Sequence, residues 1–264
     1  MRKTLADRLA LVSADILKLR RRRGLAIMTA ALTIGLVTVS YAVLEALHAS
    51  NPAKHPLPGG AAKLGNAIFI LSMFAAVAST IVGATAGSGD HDAGVYRDLV
   101  ITGRSRLALY ISRVPAGLVY LLPFTLAAYA ILAAANLTLT GHHRPATPEL
   151  LILTGLWVLL EVAFYYLLAL ALACLTASRA YAIAITIAWR LAATPLLATA
   201  TTLGTLRDAI PGVAMENLAP AQITSSIQQG PPISISIIAS ATILIVWVGV
   251  LLTGSAWRET TRDA

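Results

Sequence analysis

The stretch LGNAIFILSMFAAVASTIVGATA, Leu64–Ala86, decides the fold. No charged residue interrupts the chain between Lys63 and Asp90, and about 20 apolar residues are enough for a helix to cross roughly 30 Å of hydrocarbon. Working outward, five further runs read the same way: Leu25–Leu47, Leu118–Leu139, Leu150–Ala177, Ala180–Leu203 and Ile233–Ala256. The sequence therefore predicts an all-α polytopic membrane protein, with residues 1–264 forming a single transmembrane domain of six transmembrane helices. The totals agree. The chain is 57% hydrophobic and 12% charged, with a mean hydropathy of +0.76, whereas a soluble domain carries about a quarter charged residues. The first apolar run is too long for the core of a secretory signal and lacks an A-x-A exit, so no cleaved leader is expected.

The net charge of +8 does not point to nucleic acid, because the basic residues hug the ends of the apolar runs. With the N-terminus inside, the cytoplasmic set is Arg2, Lys3, Arg8, Lys18, Arg20 to Arg23, Arg97, Arg104, Arg106, Arg113, Arg179, Arg258 and Arg262. Only Lys54, Lys63, Arg144 and Arg207 fall outside. Such a bias predicts a multi-pass protein of the plasma (cytoplasmic) membrane with both termini cytoplasmic, residues 257–264 forming the tail. The external side then holds the Pro/Gly-rich HASNPAKHPLPGGAAK, a short loop around TGHHRPATPE, and a longer loop or re-entrant segment over 204–232.

Residues 1–23 form the N-terminal element. Leu5, Leu9, Val12, Ile16 and Leu19 recur at helical spacing, with Lys3, Asp7, Asp15 and Lys18 on the other side. A basic amphipathic helix of this kind lies in the headgroup plane of the bilayer. The connection between the second and third spans is more unusual: GSGDHDAGVYRDLVITGRSRLALYISRVP, Gly87–Pro115. GSGDHDAG supplies turn residues, with Asp90 or Asp92 as an N-cap for a following helix. Tyr96, Leu99, Val100, Gly103, Leu107 and Tyr110 then share one helical face, and Arg97 and Arg104 lie off it. TGRS offers a break before the chain returns to the membrane. The segment reads as a short amphipathic helix on the inner leaflet, either a docking element for a partner or an element that only rests on lipid.

Six spans, a basic amphipathic N-terminal helix and the pattern Asp92, Gly94, Leu99, Ser105, Arg106 after span two resemble the membrane (permease) subunit of a type-2 ABC exporter. ENLAPAQ, Glu216–Gln222, is similar to that family's external segment, which re-enters the outer leaflet as short helices. Thr102-Gly103 stands where a proline is common in the family, and Asp90-His91-Asp92 is more acidic than the family pattern. The resemblance implies a pair of permeases, either two copies or one with a close relative. Each would seat a cytoplasmic coupling helix in a separate ABC ATPase subunit. The coupling residues it implies are Asp92, Gly94, Tyr96, Arg97, Leu99, Arg104 and Arg106, with Tyr96 and Arg97 in direct contact. No G-x-x-x-x-G-K-[ST] occurs in the chain, so ATP and Mg belong to the partner and this chain is expected to be a transport subunit rather than an enzyme. Export is what the resemblance implies, and the apolar walls suit a hydrophobic or amphipathic cargo: a drug, lipid or peptide.

Two ionisable residues lie near mid-span, Glu161 and Arg190. A short connection around Thr176–Arg179 makes their helices antiparallel neighbours, and at about 1.5 Å per residue their depths differ by roughly one turn. A salt bridge between them would relieve a cost of about 2.5–3.5 kcal/mol per lone charge. The alternative for these residues is a substrate-lining or proton-carrying role, as in a secondary transporter; a non-transport membrane assembly protein is the other rival. Glu45 lies near the outer end of the first span. Cys174 is the only cysteine, which excludes an intrachain disulfide. DHD and HH fall on opposite sides of the membrane and cannot share a metal ion. The sequon at Asn136 is at a span end, and Pro115, Pro123 and Pro195 read as kinks or helix starts.

Overall fold

A computed structural model describes residues 5–92, 94, 101, 105–141, 143–228, 230–232 and 235–261. It is 84% helical, and no strand occurs among the described residues. Six helices are long and apolar enough to cross a membrane. The chain opens with α1 (Leu5–Arg21). Then come α2 (Arg23–Ser50), α3 (Ala61–Asp92), α4 (Arg106–Thr138), α5 (Pro148–Thr176) and α6 (Arg179–Thr199). A 3₁₀ segment (Thr201–Ala209) and the short helices α7 (Pro211–Asn217) and α8 (Thr224–Ile227) lead to α9 (Ile237–Thr261).

The keel of the bundle is the α3–α5 pair, the most extensive helix contact in the chain. Both helices are apolar all round, which suits spans that pack against neighbours on most sides and leave apolar residues such as Ile70 and Leu156 exposed on the rest. Gly83 and Gly87 make the closeness possible: a Cβ at Gly83 would run into the Tyr166 carbonyl, and one at Gly87 into Ala173. Small residues at such contacts let backbones approach where lipid supplies no hydrophobic drive. α5 is well terminated. Thr147 accepts the N–H of Leu150 at its start, with Pro148 and Glu149 in the first turn. Ala177 ends it in the left-handed region at φ 54°, and Ser178 immediately caps α6. Two residues thus reverse the chain and set α5 against α6.

Several boundaries differ from the sequence reading. α3 continues through Gly87 to Asp92 rather than turning at GSGDHD. Its last turns are packed against α4 and α5, so Asp90 is a mid-structure ion-pair partner and not an N-cap. α4 starts at Arg106, twelve residues before Leu118, and absorbs both Pro115 and Pro123. α6 stops at Thr199, ahead of Leu203. Within α6, Trp189–Ala193 forms a π-helical turn ahead of Pro195, whose ring and missing N–H disturb the α-helical ladder. A second π turn, Ala31–Gly35, lies in α2.

The segment between α6 and α9 folds into the bundle. Pro211 to Glu216 of α7 are all buried, Trp157 Nε1 of α5 donates to the Met215 carbonyl at 3.0 Å, and Asn217 Nδ2 donates to Ser240 Oγ at 2.9 Å. Ile223 and Ile227 are almost fully buried, and α8 rests on α3.

Candidate functional site

Most of the residues singled out in the α3–α4 connection lie outside the described residues: Tyr96, Arg97, Leu99 and Arg104. Asp92 is the last helical residue of α3. Gly94 is an exposed turn residue at φ 70°, a conformation that favours glycine. Arg106 opens α4, behind Ser105, which caps the helix by accepting the N–H of Ala108.

The described residues bring together a charge cluster at the roots of that connection, which the sequence reading had dispersed. Arg113, counted there as a loop cation, is buried in α4. Its Nη2 lies 3.1 Å from Asp90 Oδ2, its Nη1 donates to the Gly87 carbonyl at 3.0 Å, and Cys174 of α5 is beside it. Asp90 also takes Lys18 Nζ of α1 at 3.0 Å, and Lys18 pairs in turn with Asp15 at 3.1 Å. Ser112 Oγ donates to Asp15 Oδ2 at 2.6 Å. The Tyr166 hydroxyl of α5 donates to the Arg113 carbonyl at 2.6 Å. α9 joins through Tyr110, whose hydroxyl is hydrogen-bonded to Ser255 Oγ, and through buried Glu259, within electrostatic reach of Arg113, Cys174 and Tyr110. Five helices are therefore tied by polar contacts at one end of the bundle, and α1 is docked on α4 by them. The signal available in sequence was Asp90 and Arg113 themselves; their pairing depends on α3 staying helical past Gly87.

The second polar site is central. Arg190 Nη2 lies 3.0 Å from Glu161 Oε1, with both side chains buried. Arg190 projects from the π turn of α6 and sits 5.7 Å from the centre of the Tyr165 ring, a cation–π distance. Ser72 of α3 faces Glu161, and buried Glu216 of α7 is within electrostatic reach of Arg190 and Tyr165. Glu216 was legible only as part of ENLAPAQ, whose re-entry the resemblance implied; no residue pattern in the segment marked Glu216 itself as buried. The set is incompletely satisfied: Glu161 Oε2, Arg190 Nε and the hydroxyls of Thr186 and Thr194 are buried without hydrogen-bond partners. Buried polar atoms of this kind call for a water, a proton or a ligand group. Among the described residues no group of three His, Cys, Asp or Glu side chains could hold a metal ion.

Fold and sites together define an all-α, multi-pass membrane protein. No family model matches the sequence, and no curated protein matches it.

Proposed function

We propose that this chain is the membrane-spanning permease subunit of an ATP-driven ABC exporter. It works as a dimer, or with a close relative, beside a separate ATPase subunit that carries ATP and Mg. In this reading it lies in the plasma membrane with both termini cytoplasmic, and moves a hydrophobic or amphipathic cargo such as a drug, lipid or peptide. The observation that carries the reading is the charge cluster. Asp90 and Arg113 stand at the two roots of the connection that holds Tyr96, Arg97, Leu99 and Arg104, and they are paired to each other at 3.1 Å. A push on that connection reaches α1, α5 and α9 through Lys18, Tyr166, Cys174 and Tyr110. Such a rigid root is what a docking segment needs if it is to move a membrane domain and not merely itself. The folded-in α7–α8 segment also supports the reading, since the resembling family re-enters the outer leaflet there.

The test is purification of the tagged protein from its own membranes in mild detergent, with co-purifying chains identified by mass spectrometry. An ATPase at equal stoichiometry, lost in Arg97→Glu while membrane insertion is kept, is the expected result. Retention of the ATPase by Arg97→Glu would reject the docking role of that residue, and absence of any ATPase would reject the exporter reading.

The unpartnered Glu161 Oε2 and Arg190 Nε favour a second reading, a secondary transporter that uses this pair directly. It predicts ion-gradient-driven transport in proteoliposomes without ATP, abolished by Glu161→Gln.

A further inference from the structure

The Pro/Gly-rich loop between α2 and α3 is pinned rather than loose. Gly59 N donates to the Leu139 carbonyl at 3.1 Å, Gly60 N to Asn136 at 3.1 Å, and Ala61 N to Arg144 at 2.9 Å. The Asn136 amide returns a bond to the Gly60 carbonyl at 3.2 Å. Gly60 needs its φ of 92°, and a Cβ at Gly59 would strike the backbone of α4. At the loop's other end, His48 Nδ1 meets the His55 carbonyl at 2.6 Å. Pro56, Leu57 and Pro58 are thereby held as a fixed roof over a cavity of about 330 Å³ between α2 and α3. Small-molecule sites occupy roughly 300–1,000 Å³, so the volume is at the lower end of that range.

The lining is divided by chemistry. Lys63, Asn66 and His55 are among its polar members, and Val37, Ala67 and Leu132 among its apolar ones. Lys63 and Ile70, both in the lining, are separated by about 10 Å along α3 at 1.5 Å per residue. No Asp or Glu lines the cavity, and Lys63 makes no ion pair among the described residues. Tyr41, only 8% exposed, lines it too, and its hydroxyl has no hydrogen-bond partner. That hydroxyl faces the Asn136 side chain closely enough to interact with it, and Asn136 Oδ1 makes no other bond, so Tyr41 can turn its proton from Asn136 to a ligand. Leu44 and Ile70 belong both to the lining and to the chain's exposed apolar surface, so the cavity opens where bilayer hydrocarbon reaches it.

We propose that this cavity binds a single-chain amphiphile with an anionic head group, taken from the bilayer. Lys63 engages the head, the Tyr41 hydroxyl donates to it, and the alkyl chain lies between α2 and α3. An ammonium group without an ion-pair partner and a tyrosine hydroxyl in the same lining fit a carboxylate or a phosphate monoester. The volume suits one chain rather than two. The inference goes beyond the exporter reading and does not rest on it, since the site lies at the opposite ends of α3 and α4 from Asp90 and Arg113.

The experiment uses the full chain in phosphatidylcholine nanodiscs, with oleate, methyl oleate and phosphatidylglycerol as probes and native mass spectrometry as the readout. One oleate per chain is expected, with methyl oleate bound at least about tenfold more weakly, as loss of a charge-assisted bond implies. Lys63→Glu weakens oleate by about tenfold or more and Tyr41→Phe by about fivefold. Lys54→Glu, in the exposed part of the loop, changes nothing. Ala67→Phe fills the apolar part and removes binding; if that variant misfolds, the rim variant Lys63→Glu still decides the matter. Equal binding of oleate and methyl oleate, retention of phosphatidylglycerol in place of oleate, indifference to Lys63→Glu, or no oleate bound because a second copy covers α2 would each overturn the proposal.

Discussion

The two buried polar sites of this protein use the same chemistry to different ends. At the roots of the α3–α4 connection, Arg113 is surrounded by acceptors: Asp90, the Gly87 carbonyl and Cys174. In the centre, Arg190 has one strong partner, Glu161, and keeps a buried Nε without a bond. The first arrangement is redundant and fixes five helices at once; the second is a pair with capacity left over. Buried ion pairs offset their desolvation only when the remaining lone pairs and protons are also satisfied. By that criterion the Arg113 cluster is a structural lock, and the Glu161–Arg190 pair is held in a less settled state by its surroundings.

Substitutions separate the two sites. Arg113→Met leaves Asp90 facing only Lys18, and is expected to cost about 3–5 kcal/mol, the range for breaking a buried pair from one side. Thermal unfolding in detergent, followed by helix circular dichroism, measures it. The single variants Glu161→Met and Arg190→Met are expected to fall in the same range of about 3–5 kcal/mol, but the double variant should recover most of the loss, because no charge is then left uncompensated. Asp90→Ala with Arg113→Met should not recover in this way, since Lys18 loses its Asp90 partner and the Gly87 carbonyl its Arg113 donor together. Equal recovery in both double variants would erase the distinction. Gly87→Ala forces a methyl group against Ala173 and should cost about 1–3 kcal/mol by overpacking, read as a lower Tm with both sites chemically intact. Trp157→Phe removes the bond to the Met215 carbonyl and should cost about 1 kcal/mol, with α7 exchanging its amide hydrogens faster than α5. Lys18→Met is the smallest change, about 0–1 kcal/mol, because its side chain is 44% exposed.

The parts legible in sequence were those whose signal is local. An uncharged run such as Leu64–Ala86 sets a span by its own length, and Glu161 and Arg190 stand out because every neighbour is apolar. The amphipathic pattern of α1 was also plain, although its docking on α4 through Asp15 and Ser112 required knowing which helix lay beneath it. Arg113 was misread because a cation at a span end has two meanings, a topology signal or a buried partner. The choice depends on a carboxylate on another helix. Asp90 was misread for a related reason. Gly, Ser and Asp favour a turn locally, and only tertiary packing against α4 and α5 keeps GSGDHD helical. Burial of Glu216 was invisible because α7 is short and its environment is supplied by α5 and α9.

The π turn at Trp189–Ala193 has a consequence for how this chain tolerates change. A wide turn houses one residue more than the helical register requires, so deleting a single residue there returns α6 to ordinary helix with both flanks still facing their neighbours. The same deletion in the middle of α5 turns everything after it by about 100°, carrying Tyr166 and Cys174 away from Arg113. Length variation among descendants of this sequence should therefore gather in α6 and be excluded from α5.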